Sequence, residues 1–402
     1  MIKFFVALLV FFSAAYAEEP FAVYLTWQKD PTTTMSIQWI TEINATYSGL
    51  EYKEEDTNAS SRDTPEWILA PEEVLHLLPQ KEPYILHVLE LAQLKPNTSY
   101  RFRFTNDTQE FCFRTMPENL SEPIHFVVGG DTCQQGMSSF REMNVIAAKT
   151  NPCFVLFGGD LAYAAPRSVH KPEDGKAWLE WIRAYFQTMR TPSGHLIPLL
   201  VTIGNHDVKG HGEQTPKEAP FYYALFPMPG LPGYNSLQFG GYLTLFLLDS
   251  NHTNPIKGAQ TEWLKNALQK HMTTHRLAIY HIPAYPSVRY FEMHDSASIR
   301  KHWVPLFEKY GVHLAFENHE HAYKRTFPLR GGRIDSNGVV YVGDGSWGTK
   351  PRTPKRPKDT RYLATALSVR QFTKVELSQT KREIWAITSE GEIVDHYVQE
   401  VK

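Results

Sequence analysis

The stretch Phe154-Val155-Leu156-Phe157-Gly158-Gly159-Asp160-Leu161-Ala162-Tyr163 decides how this chain is to be read. A short run of aromatic and branched apolar residues suits a strand buried on both faces, and the glycine pair ends it. An aspartate and a tyrosine then stand in the loop just past the strand end. The same plan recurs in both directions. Ile124 to Val128 runs into Gly129-Gly130-Asp131, and Leu196 to Ile203 into Gly204-Asn205-His206-Asp207. Leu277 to Tyr280 runs into His281, and Val312 to Phe316 into Glu317-Asn318-His319-Glu320-His321.

Between these runs lie stretches with helical spacing: Met137, Phe140, Met143 and Ile146; Trp178, Trp181 or Ile182 and Tyr185; Trp263, Leu264 and Leu268. Strand and helix in alternation predict α/β layers. Loops leaving the carboxyl ends of strands in such a sheet converge on one crevice. Asp131, Asp160, Tyr163, Asn205, His281, His319 and His321 are therefore expected to meet in space.

Oxygen and imidazole donors without paired cysteines suit cations such as Fe, Mn and Zn, and a carboxylate can bridge two of them. Bridged metals activate water and hold the attacking and leaving oxygens of a phosphoryl transfer. Each signal alone is weak. A Gly-Asp pair is most often a turn, Asn205 suits a helix cap, and a lone histidine is usually a surface or core residue. His319 and His321 weigh more, because alternate residues of an extended segment point the same way. Their joint order at strand ends is what favours a two-metal hydrolase.

The chain has 402 residues, 42% hydrophobic and 21% charged, which suffices for two domains with a large core. A formal net charge of -2 without a basic block lacks the footprint of a nucleic-acid binder. Met1-Ile2-Lys3, an apolar stretch from Phe4 to Phe12 and Ser13-Ala14-Ala15-Tyr16-Ala17 match a secretory signal cleaved after Ala17, so residues 1–17 are read as a leader. No later segment is apolar enough to span a membrane. The expectation is a secreted protein, periplasmic if the host is bacterial, with no membrane or nucleic-acid partner. Cys112, Cys133 and Cys153 are too few for a disulfide scaffold. Asn-x-Ser/Thr acceptors stand at Asn44, Asn58, Asn97, Asn106, Asn119 and Asn251.

From Phe21 to Thr115 the texture changes to short alternating runs, such as Met35-Ser36-Ile37-Gln38-Trp39 and Tyr100-Arg101-Phe102-Arg103-Phe104, without helices between them. That is the periodicity of a β-sandwich, with Trp39 as a core anchor. Leu94-Lys95-Pro96-Asn97-Thr98-Ser99-Tyr100 looks like the tyrosine-corner segment of fibronectin type III domains. The expected division is residues 18–117 as this module and 118–402 as the catalytic domain. Thr115 to Asn119 forms the linker.

The ordered set Gly130-Asp131, Gly159-Asp160-Leu161-Ala162-Tyr163, Gly204-Asn205-His206-Asp207, Tyr280-His281 and His319-Glu320-His321 resembles the five-motif signature of purple acid phosphatases, within the calcineurin-like metallophosphoesterases. The resemblance covers nearly the whole mature chain, and Tyr163 is its discriminating residue. It implies a four-layer α/β/β/α sandwich behind the fibronectin-like module. Carried over by position, Asp131, Tyr163 and His321 would hold Fe(III), Asn205, His281 and His319 a divalent Fe, Zn or Mn, and Asp160 would bridge. The implied reaction is hydrolysis of small-molecule phosphate monoesters at acidic pH. A hydroxide generated at the metals attacks phosphorus, Asn205 and His206 contact the phosphate, and His206 assists the leaving alcohol.

The sequence departs from that signature at three places. Cys133 stands where a glycine usually follows the first aspartate, and Asn318, tolerant of left-handed backbone, replaces the glycine that usually opens the last motif. Plant members place a histidine pair beyond the ligand matched by His281; here Arg289 is the candidate phosphate-binding cation. Gly343 to Gly348 could close the sheet or border the pocket but reads first as a tight loop, Lys350 to Arg361 reads as a mobile basic loop, and Phe372 to Val401 as strands returning to the second sheet. Competing functions are a phosphodiesterase or nucleotide pyrophosphatase of the same fold, and a secreted binding protein with an inactive metal domain.

Overall fold

The computed structural model describes residues 20–45, 49–55, 65–105 and 107–401. The leader read over residues 1–17, and the acceptors Asn58 and Asn106, lie outside them. An N-terminal sandwich is built from two four-stranded antiparallel sheets. One orders Ala22–Thr26, Met35–Glu42, Tyr84–Leu91 and Val74–Leu77, the other Ile68–Leu69, Leu50–Glu54, Ser99–Phe104 and Phe111–Arg114. Trp39 is fully buried between them and stacks on His87 at 4.7 Å. The tyrosine corner is present: the Tyr100 hydroxyl accepts the Lys95 N–H at 2.8 Å, pinning the loop that enters its strand.

Two mixed sheets form the larger part. The first orders Leu199–Val201, Val155–Phe157, Ile124–Gly129, Gln371–Leu377, Lys381–Thr388 and Ile393–Glu400, with the first three parallel. The second has Leu243–Leu247, His275–Ile279, Leu314–Glu317 and Val340–Gly343 parallel at its centre, flanked by antiparallel strands. The strands after Phe372 thus join the sheet of the first motif rather than that of the later ones. Residue 375 pairs with 126, placing this run beside the Asp131 strand.

Side chains alternating along each strand sort into three cores. Phe126, Val128 and Leu156 face Leu245, Ile279, Phe316 and Val342 across the space between the sheets. Val127, Val155 and Phe157 face outward to Phe140 and Met143 of the helix Met137–Lys149 and to Trp178 and Trp181 of Gly175–Thr188. On the far side Phe246, Ala278 and Tyr341 pack on Leu264 of Ala259–Lys270, Ile299 of His294–His302 and Phe307 of Val304–Tyr310. Three cores require four layers, so the arrangement is α/β/β/α. Burying a side chain such as Phe140 stabilises the fold by roughly 1.5–3 kcal/mol.

The N-terminal sandwich shares the inter-sheet core. The buried Trp27 ring meets Phe154 at 5.9 Å and Phe239 at 5.6 Å. Among the described residues no helix is long and apolar enough to cross a membrane.

Candidate metal centre

The five motif loops leave the carboxyl ends of their strands on one side and bring all seven predicted donors together. Side-chain donor atoms of Asp131, Asp160 and His321 lie within 4.8 Å of one another, and so do those of Asp160, His281 and His319. Asp160 belongs to both groups. The Tyr163 hydroxyl lies 3.4 Å from Asp131 Oδ1 and 3.4 Å from His321 Nε2, which puts it with the first group. Asn205 Oδ1 lies 3.2 Å from His281 Nε2, which puts it with the second.

This convergence rests on unusual backbone. Asp131 (φ 55°), Asp160 (φ 53°), Tyr163 (φ 53°), His319 (φ 76°) and His321 (φ 57°) all occupy the left-handed region. For such residues that region costs on the order of 1–3 kcal/mol each, and it persists where surrounding structure dictates it. Here the carbonyls and amides of neighbouring loops do so. The Asp131 N–H donates to the Gly159 carbonyl at 2.9 Å and the Thr132 N–H to the Asp160 carbonyl at 2.9 Å. Asp207, fully buried, accepts from the N–H groups of Gly204 at 2.9 Å and Leu161 at 2.8 Å, tying the second and third motifs.

Two glycines are required by close approach. A Cβ on Gly204 would fall 2.2 Å from the Asp160 amide nitrogen, and one on Gly345 would fall 1.8 Å from Asp131 Oδ2. The Gly343–Gly348 segment therefore borders the donors directly, the alternative to a purely structural turn that its sequence left open.

Electrostatics favour a cation here. Burial alone would raise the Asp160 carboxyl, but the facing His281 imidazole holds it well below the usual range. Burial pulls His281 down, yet Asp160 and Asp131 overcome this and push it up to about 9. Burial and the Asp131 carboxylate push the Tyr163 phenol well above its ordinary range. A site that draws protons onto a fully buried imidazole is short of positive charge, and a metal ion would displace those protons. His281 Nδ1 donates to the Gly158 carbonyl at 2.8 Å, turning Nε2 toward Asp160 and Asn205. Oxygen and imidazole donors, orientation and charge deficit all fit a pair of cations.

His206 sits over the first donor group, its ring stacked on Tyr163 at 4.4 Å and its backbone amide donating to Asp160 Oδ1 at 2.6 Å. Burial lowers its imidazole below the ordinary value. A cleft of about 640 Å³ opens above it, and Arg289 is among the residues that line it. Arg289 is not free, however: its Nη1 donates to Glu320 Oε1 at 2.6 Å and to the His319 carbonyl at 2.8 Å. Several cleft residues went unassigned in the sequence, three of them basic side chains close to the donors or unpaired. His211 packs edge-on against His206 at 4.5 Å, and Arg167 and Arg352 line the rim. A histidine bracketed by Gly210 and Gly212 so soon after His206 was the available signal for the first.

Two departures from the signature resolve. Cys133 is a buried packing residue with Sγ 3.7 Å from Met137 Sδ, and burial pushes its thiol up to about 12. Asn318 is absent from the left-handed residues; instead its amide is wedged between Gly130 and Gly158 and donates to the Tyr280 carbonyl at 3.1 Å. The segment after Gly348 is anchored rather than loose. Arg352 N–H donates to the His321 carbonyl at 2.7 Å and Lys355 N–H to that of Ser287 at 2.7 Å.

This fold and donor set define a calcineurin-like phosphoesterase, and the family of that description matches residues 100–323. Residues 20–127 match the purple acid phosphatase N-terminal domain, and the chain belongs to the purple acid phosphatase family. It is similar to purple acid phosphatase 21 of Arabidopsis thaliana, 27% identical over 274 residues covering 66% of this chain and 59% of that protein. It is similar also to probable purple acid phosphatase 20 of the same plant, 29% identical over 287 residues covering 66% of this chain and 62% of that one. The matched region thus spans about three-fifths of those relatives. A solved purple acid phosphatase from yellow lupin (Lupinus luteus) seeds shares the fold, with a TM-score of 0.70 at 17% identity, covering 94% of this chain and 73% of that one.

Proposed function

We propose that the chain hydrolyses phosphate monoesters with two metal ions, one held by Asp131, Tyr163 and His321, the other by Asn205, His281 and His319, with Asp160 common to both. The observation that carries this reading is the division of the donors into two groups sharing Asp160. In this reading the tyrosine-bearing group takes Fe(III) and the other a divalent Fe, Zn or Mn, as oxygen and nitrogen donors allow. When bound, the metals supply Lewis acidity, acidifying a water and taking up charge on the phosphoryl oxygens.

The remaining roles fall to this chain's own side chains. Asn205 and Arg289, the latter aimed by Glu320, orient the phosphate in the cleft. His206, fixed by Tyr163 and Asp160, stands at the cleft wall to give a proton to the departing alcohol oxygen. Export through the leader at residues 1–17 is part of the same proposal.

The test compares phenyl phosphate with a bis-aryl phosphodiester, using metal-loaded and chelated protein. Faster turnover of the monoester, lost on chelation and regained with metal, supports the reading. Preference for the diester replaces it with a phosphodiesterase, and two bound metals without turnover replace it with a binding protein.

A further inference from the structure

The cleft is far larger than a phosphate group, so it has room for the leaving group as well. Of the three arginines lining it, Arg289 is neutralised by the fully buried Glu320. Among the described residues Arg167 and Arg352 form no ion pair, and Arg352 makes one long bond, 3.4 Å, to the His319 carbonyl. An unpaired surface arginine is ordinary by itself. These two differ because they rise from anchored backbone on separate loops into the same concavity.

Arg352 follows directly from its N–H bond to the carbonyl of His321. Its strap is fastened again where the Lys355 ammonium is capped by the carbonyls of Pro286, at 3.2 Å, and Arg289. Arg167 follows Pro166, whose carbonyl accepts from Gly210 at 3.0 Å, while Ala165 N–H donates to the His206 carbonyl at 3.1 Å. The cleft's carboxylates are committed elsewhere. Asp160 belongs to the metal donors, Glu320 to Arg289, and Asp295 accepts from Asn251 at 2.7 Å with His294 Nδ1 at 3.1 Å.

We infer that Arg167 and Arg352 are specificity-determining residues for substrates whose leaving group carries its own negative charge. Resting on the hydrolase reading, this narrows the substrate class to phosphoanhydrides, or to phosphate esters with a nearby carboxylate. A guanidinium fork matches both anions through paired, charge-assisted hydrogen bonds. A neutral leaving group would leave both forks in water and gain nothing from them.

The experiment measures kcat/KM for pyrophosphate, phosphoenolpyruvate and phenyl phosphate in wild type, Arg167→Gln, Arg352→Gln and the double variant. Each single change should lower the ratio of charged to uncharged substrate about tenfold or more, and the double change further. Arg352→Lys should recover part of the ratio. A drop for only one charged substrate names which anion is read. Affinity supplies a second readout: the preference for methylenebisphosphonate over inorganic phosphate, by calorimetry, should fall by a similar factor. Equal losses on all substrates, or an unchanged ratio, overturn the inference. A metal-loaded wild type that turns over none of them refutes the hydrolase reading instead, and the bisphosphonate preference still decides the role of the two arginines.

Discussion

Gly158→Ala should damage the protein through a single neighbour. The φ of Gly158 is outside the left-handed region, so its backbone tolerates alanine, and the obstacle is steric. The new Cβ would lie 1.7 Å from Asn318 Nδ2 and 2.4 Å from Asn318 Cγ, in a place where Asn318 is 1% exposed. Overpacking of this kind costs about 1–3 kcal/mol. If Asn318 swings aside instead, the Tyr280 carbonyl loses its donor, at about 1–3 kcal/mol for a buried unsatisfied group. The expected destabilisation is therefore about 2–4 kcal/mol. Because the Gly158 carbonyl also orients His281, metal retention should weaken with it. Asn318→Gly removes the obstacle, so the pair should cost about 2 kcal/mol less than the sum of the single changes. Urea unfolding of all four proteins at one metal concentration measures this cycle. Additivity within about 0.5 kcal/mol would refute the wedge account.

Glu173 is buried with its carboxyl pushed from 4.5 up to about 7, chiefly by that burial. Since the folded state resists ionising it, its stabilising contribution is complete below pH 4.5 and lost as pH rises through 7, by at most about 3 kcal/mol. Glu173→Gln keeps an acceptor for Trp178 Nε1 and should flatten the fall in thermal midpoint between pH 5 and 8; an equally steep fall counts against this. Lys324 is fully buried between Glu317, at 2.5 Å, and Asp344, at 3.6 Å, so Lys324→Met should cost about 3–5 kcal/mol in urea unfolding, and adding Glu317→Gln should recover part. His206→Asn should lower kcat by about a hundredfold or more for alkyl phosphates and far less for p-nitrophenyl phosphate, whose leaving group needs no proton. Equal losses would place His206 in phosphate binding alone.

The donors were legible because each lies within a few residues of a buried strand, where period-two burial and glycine punctuation survive in the local sequence. Asp160 and Tyr163 stood out in one ten-residue stretch, but only their order with the other strand-end motifs singled them out as donors. What local pattern could not supply was contact between distant segments. Asn318 has the composition of a left-handed turn residue, but its place is decided by Gly130 and Gly158 from two other strands. Gly345 reads as an ordinary turn until its Cα is seen against Asp131. The basic run from Lys350 reads as solvated charge, because nothing in it shows that its amides would meet His321 and Ser287. Arg289 was legible only as a candidate cation, because its pairing with Glu320 depends on a loop closure thirty-one residues long.

The metal content of purified protein, measured with its visible spectrum, tests the dinuclear claim most directly. Two metal ions per chain are expected, one of them iron, with a tyrosinate-to-iron absorption band that disappears in Tyr163→Phe. One metal per chain, or a fully loaded protein without iron and without the band, would contradict the assignment of Asp131, Tyr163 and His321 to a ferric site.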